Sequence, residues 1–411
     1  MPTSNIVPNP EPPPAGRVRT VRQGSWHEVL AAFLRLGLTS FGGPVAHLAY
    51  FREEFVARRR WLGDDAYAEL VSLCQFLPGP ASSQVGIGLG YLRAGLPGAL
   101  MAWFGFTLPS AVLMTVFALG LLELGAADAG WIAGLKVFAV AIVAHAVWGM
   151  ARTLCPDAVR RAIAVVVAGL LLIVPWPQAQ LAAMVLAGVA GWLVVRSGAT
   201  AGAAALQADV PRGLAIVALA AFATLLVGLP LLARTAPIDV VELFSVFYSA
   251  GALVFGGGHV VLPLLQAQVV PPGWIGNDVF LAGYAAAQVV PGPLFSFAAF
   301  LGAAIPLPGG VTGAAVALLG IFLPAFLLVL GALPFWQGAL QRPALRSAVA
   351  GVNAGVVGVL LAALVTPVAT TALTTVPDAL LALAAFGALL GGRVPVWLVA
   401  AACAAAGALL H

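Results

Sequence analysis

The sequence predicts an all-α polytopic membrane protein made of two inverted-topology repeats with discontinuous, Gly/Pro-broken helices. Three observations lead there. Hydrophobic residues are 62% of the 411 and charged residues 8%, and mean hydropathy is +1.04. A soluble fold cannot hide that much apolar surface, whereas a bilayer accepts it as solvent. Apolar runs are interrupted by "FGGP", "FGGG" and two "PGP" triplets. The same markers also recur, in order, half a chain apart. The runs lack the strict alternation of an outer-membrane barrel.

Taken from the N-terminus, residues 1–24 are Pro-rich and polar, which predicts a disordered cytoplasmic tail and no cleavable signal. Repeat 1 is assigned to residues 25–200, a linker with one orientation-flipping span to 201–236, and repeat 2 to 237–411. Continuous apolar segments at 99–122, 131–151, 158–174, 178–195, 213–233, 311–333, 345–364, 377–391 and 395–410 read as spans or near-spans. Four others, 26–51, 67–92, 241–265 and 280–305, carry a break. Each is too short for two full crossings of about 20 residues. They are therefore kinked spans or hairpins of half-membrane helices, and a broken backbone is tolerated at that depth only inside protein or beside a cavity.

The repeat is carried by paired markers. "FGGP" (Phe41–Pro44) matches "FGGG" (Phe255–Gly258), "WLGDD" (Trp61–Asp65) matches "WIGND" (Trp274–Asp278), and "QFLPGP" matches "QVVPGP". "GFTLPS" (Gly105–Ser110) matches "GIFLPA" (Gly320–Ala325), and Lys136 matches Arg346. Loop charge then sets orientation. Arg52, Arg58, Arg59 and Arg60 lie between the broken segments of copy one, while "QAQVVPPGWIGND" in copy two has no Lys or Arg. Further on the bias reverses, from the acidic "ELGAADAG" to Arg342 and Arg346. Under the positive-inside rule the copies are upside down relative to each other, with the N-terminus cytoplasmic.

Inverted repeats with broken helices are a secondary-transporter layout, with substrate held between the copies. Each broken helix exposes unpaired N–H groups worth roughly +0.5 of a charge. Four such ends aimed at one place would suit a dianion without any buried cation. The candidate substrate-binding residues are accordingly Gly42, Gly43, Pro44, Gln75, Pro78, Gly79, Pro80, Ser82 and Ser83 in copy one, followed by Gln84. In copy two they are Gly256, Gly257, Gly258, Gln288, Pro291, Gly292, Pro293 and Ser296. Helix capping by the Ser and Gln side chains is the competing reading. His47, His259, Lys136 and Arg346 are candidates for anion attraction or coupling, against packing and interfacial anchoring. Asn353 faces Val143 in the alignment of the copies and carries only a weak packing or site role.

Other classes are disfavoured. The net charge of +4 comes from loop residues, so no nucleic-acid partner is expected. Cys74, Cys155 and Cys403 have no ligand spacing, so no metal, disulfide framework or cofactor is expected. "GIGLG" (Gly86–Gly90) lacks the context of a nucleotide loop and reads as close helix packing. Asp and Glu are nearly confined to loops, which argues against an intramembrane enzyme.

The combination "FGG…WLGDD…QFLPGPASSQVGIGLGY" with its second copy resembles the chromate transporter family in its long, two-domain form, from about Trp26 onward. The resemblance implies a multi-pass protein of the bacterial inner membrane that exports chromate and confers chromate resistance. Its expected partners are a small oxyanion and membrane lipid. Sulfate or another oxyanion is the alternative substrate, a passive anion channel the alternative mechanism, and a homodimer is left open. Copy two departs from copy one: "GGP" becomes "GGG" and "ASSQ" becomes "LFSF". The half-sites are thus expected to be unequal.

Overall fold

A computed structural model describes residues 24–123, 130–174, 179–195, 206, 210–235, 239–255, 258–336 and 342–411. All regular structure among them is helical, and five helices are long and apolar enough to cross a membrane. The tail, the acidic loop after Glu123, the linker residues 201–205, 207–209 and 236, and Gly256 and Gly257 lie outside the described residues.

Copy one begins with α1 (Trp26–Thr39), started by a Ser25 side chain that accepts the Glu28 N–H. α2 (Gly43–Phe51) follows the first break and runs on into a widened turn, Arg52–Arg58. α3 (Asp64–Phe76) leads to the first "PGP", and α4 (Ala81–Glu123) leads away from it. α4 is really two helices, because Ala94 and Gly95 leave helical geometry with Gly95 at φ +67°. The chain doubles back so sharply there that Gly90 and Gly98 touch backbone to backbone. α5 (Gly130–Leu154), α6 (Ala158–Ile173) and α7 (Ala179–Val194) complete the copy.

After the connecting helix α8 (Arg212–Thr235), copy two repeats the order. Its elements are α9 (Asp239–Leu253), α10 (Val261–Val269), α11 (Asn277–Val289), α12 (Phe297–Ala304), α13 (Gly310–Ala332), α14 (Pro343–Ala363), α15 (Val376–Gly391) and α16 (Val396–Leu410). Gly302 and Gly313 reproduce the Gly90–Gly98 contact between α12 and α13.

Glu28 decides what the breaks in copy one are. Its carboxylate accepts from Trp61 Nε1 at 3.1 Å and pairs with Arg93 at 3.0 Å and Arg59 at 3.9 Å. Residues 28, 59–61 and 93 therefore share one level. α3 has 13 residues, or about 20 Å of rise, and the chain then returns to the same level. "FGGP" and "PGP" are accordingly hairpin tips, each reached by a helix shorter than a bilayer core of about 30 Å. The linker is tied to this unit as well, since Glu69 Oε2 on α3 accepts the Leu206 N–H at 2.6 Å.

The copies also exchange elements. α5 packs on α15 and α16, and α14 packs on α6 and α7. Small residues allow the backbones to meet: Gly134 lies against the Cys403 backbone, and Gly351 against Gly191 and the Ala187 carbonyl. Lys136 on α5 adds an ion pair to Asp278 on α11, at 3.0 Å.

Two predictions follow from this packing and this charge network. Gly351→Val should cost about 1–3 kcal/mol by overpacking and lower the melting temperature in detergent. Gly387→Val, on α15 where a side chain meets open space, should stay within about 0.5 kcal/mol. Equal melting temperatures for the two variants would refute the role of the close contact. Burial alone would raise the Glu54 carboxyl, but Arg59, Arg58 and Arg35 outweigh it and hold it below the ordinary 4.5. Its stabilisation is complete above that ordinary value and is lost as pH falls through the lower folded value. Thermal unfolding followed from neutral pH to well below 4.5 should show acid destabilisation that Glu54→Gln reduces.

Candidate functional site

The breaks of the two copies meet, and they are joined by a reciprocal pair of backbone hydrogen bonds. Gly79 N–H, in the first "PGP", donates to Val254 O at the break of copy two, at 2.6 Å. Gly292 N–H, in the second "PGP", donates to Ser40 O at the break of copy one, at 3.0 Å. Both glycines have φ beyond +100° (+124° and +102°), a conformation that side chains other than glycine rarely adopt. Space is restricted too: a side chain on Gly79 would strike Gln84, and one on Gly292 would strike Ser110 Oγ. Gln84 Nε2 closes the first tip by donating to Pro78 O at 2.7 Å.

Around this crossing the structure gathers polar groups that nothing satisfies. The hydroxyls of Ser40, Ser83, Thr107 and Ser296 and the Gln84 Oε1 atom are buried with no hydrogen-bond partner. An unsatisfied buried polar group costs about 1–3 kcal/mol, so these five mark the crossing as a candidate ligand site. Each hydroxyl can turn to donate to an anion. Ser82 Oγ lies 3.5 Å from His47 Nδ1, and the His47 ring stands edge-on to Phe106. Ser110 Oγ donates to Thr107 O at 2.9 Å.

Most of the residues expected from sequence fall here. Ser82, Ser83, Gly79, Pro80, Gly258, Gly292, Pro293 and Ser296 are buried. Gly43, Pro44, Pro78 and Pro291 are half-buried, and Gly42, at φ +100°, opens α2 from an exposed position. Gln75 is exposed although its counterpart Gln288 is half-buried. His259 is bound through Nδ1 to Tyr284 Oη at 3.0 Å. Lys136 is engaged with Asp278, and Arg346 sits in the first turn of α14. Ser40, Thr107, Ser110 and Tyr284 are not among the residues expected from sequence. The two hydroxyls of "GFTLPS", absent from its partner "GIFLPA", are the sequence signal for Thr107 and Ser110.

Comparison with known proteins places the chain in a family. The residue pattern of the family described as "Chromate transporter" matches the chain twice, over 27–192 and 241–408. The chain belongs to the chromate transporter family. A chromate transport protein of Pseudomonas aeruginosa is 31% identical over 82% of this chain and 79% of its own length. One from Cupriavidus metallidurans is 30% identical over 93% of each chain. An uncharacterised transporter of Methanocaldococcus jannaschii is 23% identical over 81% of this chain and 82% of its own. No solved structure matches. This is a family of transporters, and the chain is a multi-pass membrane protein rather than an enzyme.

The orphaned hydroxyls make a prediction in which stability and function move apart. Ser83→Ala and Ser296→Ala remove groups with no hydrogen-bond partner among the described residues, so the melting temperature without added oxyanion should hold or rise. Added oxyanion should then stabilise these variants less than the parent. Equal oxyanion-induced shifts in parent and variants would show that these hydroxyls do not touch the ligand.

Proposed function

We propose that the chain is a secondary transporter that moves chromate outward across the bacterial inner membrane and so confers chromate resistance. The observation that carries this reading is the meeting of four broken helices at buried, unpartnered hydroxyls. Neutral donors bind a tetrahedral oxyanion and still let it leave, which a buried Arg or Lys would hinder.

In this reading the two copies are inverted relative to each other, with the Arg52–Arg60 turn and Arg93 on the cytoplasmic face. Alternating access is a rocking of the hairpins about the crossing while exchanged elements such as α5 and α14 keep the copies joined. Gly79 and Gly292 hold the pivot. Ser40, Ser83, Thr107, Ser296 and Gln84 ligate the oxyanion, with His47 and Ser82 beside them. Moving a dianion out of a negative interior releases about 4.6 kcal/mol per 100 mV, so the membrane potential is sufficient drive.

The test is uptake of labelled chromate by everted inner-membrane vesicles, where export becomes accumulation. Uptake should be saturable, should rise with an imposed interior-positive potential, and should fall about 10–100-fold in either single variant, Ser83→Ala or Ser296→Ala, at normal abundance. That range follows from losing hydrogen bonds to a charged ligand at about 1.5–3 kcal/mol each. Accumulation of sulfate with no chromate uptake would overturn the substrate. Flux that never saturates would overturn the carrier mechanism.

A further inference from the structure

A second polar group stands apart from the breaks, around a cavity of about 620 Å³ between copy one and copy two. Its walls come from the end of α6, the start of α7, α10, the start of α11, and the end of α14 with the turn that follows. Gln180, Gln266, Asn277, Thr366 and Thr371 are its polar lining, and none of its lining residues is charged. Gln266 lies eight residues beyond Gly258, and helical rise puts it about 12 Å along the chain from the break.

The repeat shows what is unusual here. Counting from the "FGG" markers, Gln266 corresponds to Arg52, and counting from the "WxG" markers, Asn277 corresponds to Asp64. In copy one Arg52 and Asp64 form an exposed ion pair at 2.7 Å. In copy two Gln266 Nε2 donates to Asn277 Oδ1 at 2.6 Å, and Asn277 Nδ2 donates to Thr371 Oγ1 at 3.0 Å. The contact is kept while both charges are removed, and the neutral version borders a cavity. Gln266 is only 4% exposed, yet its Oε1 atom has no partner, and neither has Gln180 Nε2.

We propose that this cavity is a second, weaker station for the same tetrahedral oxyanion, set in the outward vestibule. The proposal rests on the outward-transport reading above, which places the arginine-free 266–277 loop on the outer face. Gln180 Nε2 supplies one free donor. Turning over the Gln266 and Asn277 amides together preserves their mutual bond and presents a Gln266 N–H as the second donor, while the Thr371 hydroxyl exchanges its bond to Pro367 O, which keeps that of Thr370 Oγ1, for one to Asn277 Oδ1. Loss of the carboxylate is the permissive change, because a carboxylate at that position would repel a dianion at close range. Uncharged amides hold the departing ion without trapping it.

The experiment is equilibrium dialysis of labelled chromate against the full-length chain in nanodiscs, alongside everted-vesicle uptake. The parent should bind two chromates per chain. Asn277→Asp should weaken the looser site by about tenfold or more and leave the tighter one, and Gln180→Leu with Gln266→Leu should do the same. Asn277→Asp is compatible with folding, because Asp is favoured in the first turn of a helix and Asp64 occupies the matching place in copy one. Single-site binding by the parent, or two unchanged sites in Asn277→Asp, would overturn the second station while chromate uptake still stood. Neither binding nor uptake of chromate by the parent would overturn the reading of the breaks, and this inference with it.

Discussion

The two backbone hydrogen bonds that cross between the breaks are the constraint on which the rest of the structure depends. Each uses an N–H that a broken helix would otherwise leave unpaired in a medium with no water to offer, where an orphan costs several kcal/mol. Because Gly79 bonds to Val254 O and Gly292 to Ser40 O, neither copy can satisfy its own break. Each is completed by the other. This explains why the breaks of the two copies are found together instead of each being buried separately.

The crossing satisfies the backbone and leaves the side chains around it unsatisfied. Hydroxyls of Ser40, Ser83, Thr107 and Ser296 find no hydrogen-bond partner among the described residues, in a protein whose other hydroxyls commonly bond back to their own helix, as Thr115 and Ser72 do. A helix surface can hide a hydroxyl on a carbonyl one turn back, whereas these hydroxyls are left available. Three of the four belong to copy one and Ser296 to copy two, so the copies contribute unequally to the candidate site.

Inequality between the copies continues away from the centre. Copy one concentrates charge at one level, where Glu28 and Glu54 gather Arg58, Arg59 and Arg93. At the matching level of copy two, amides and hydroxyls line the cavity, and the carboxylate beside them, Asp278, is paired with Lys136 from copy one. A duplicated scaffold thus has one end tied by a cluster of ion pairs and one end whose cavity lining is uncharged.

The sequence by itself determined the membrane class, the duplication and the positions of the breaks, because hydropathy, Pro and Gly act through local backbone chemistry that the chain order records. It also placed most of the candidate residues, since Gly79, Gly292, Ser83 and Ser296 sit inside the repeated triplets or a few residues from them. Only the tertiary structure decided that the breaks are hairpin tips, because that depends on Glu28 meeting Trp61 and Arg93 across 33 and 65 residues. It alone brought Ser40 and Thr107 to the site and engaged Lys136 with Asp278. A contact between copies depends on how helices pack, and pattern along one chain carries no record of which carbonyl an N–H from the other copy will find.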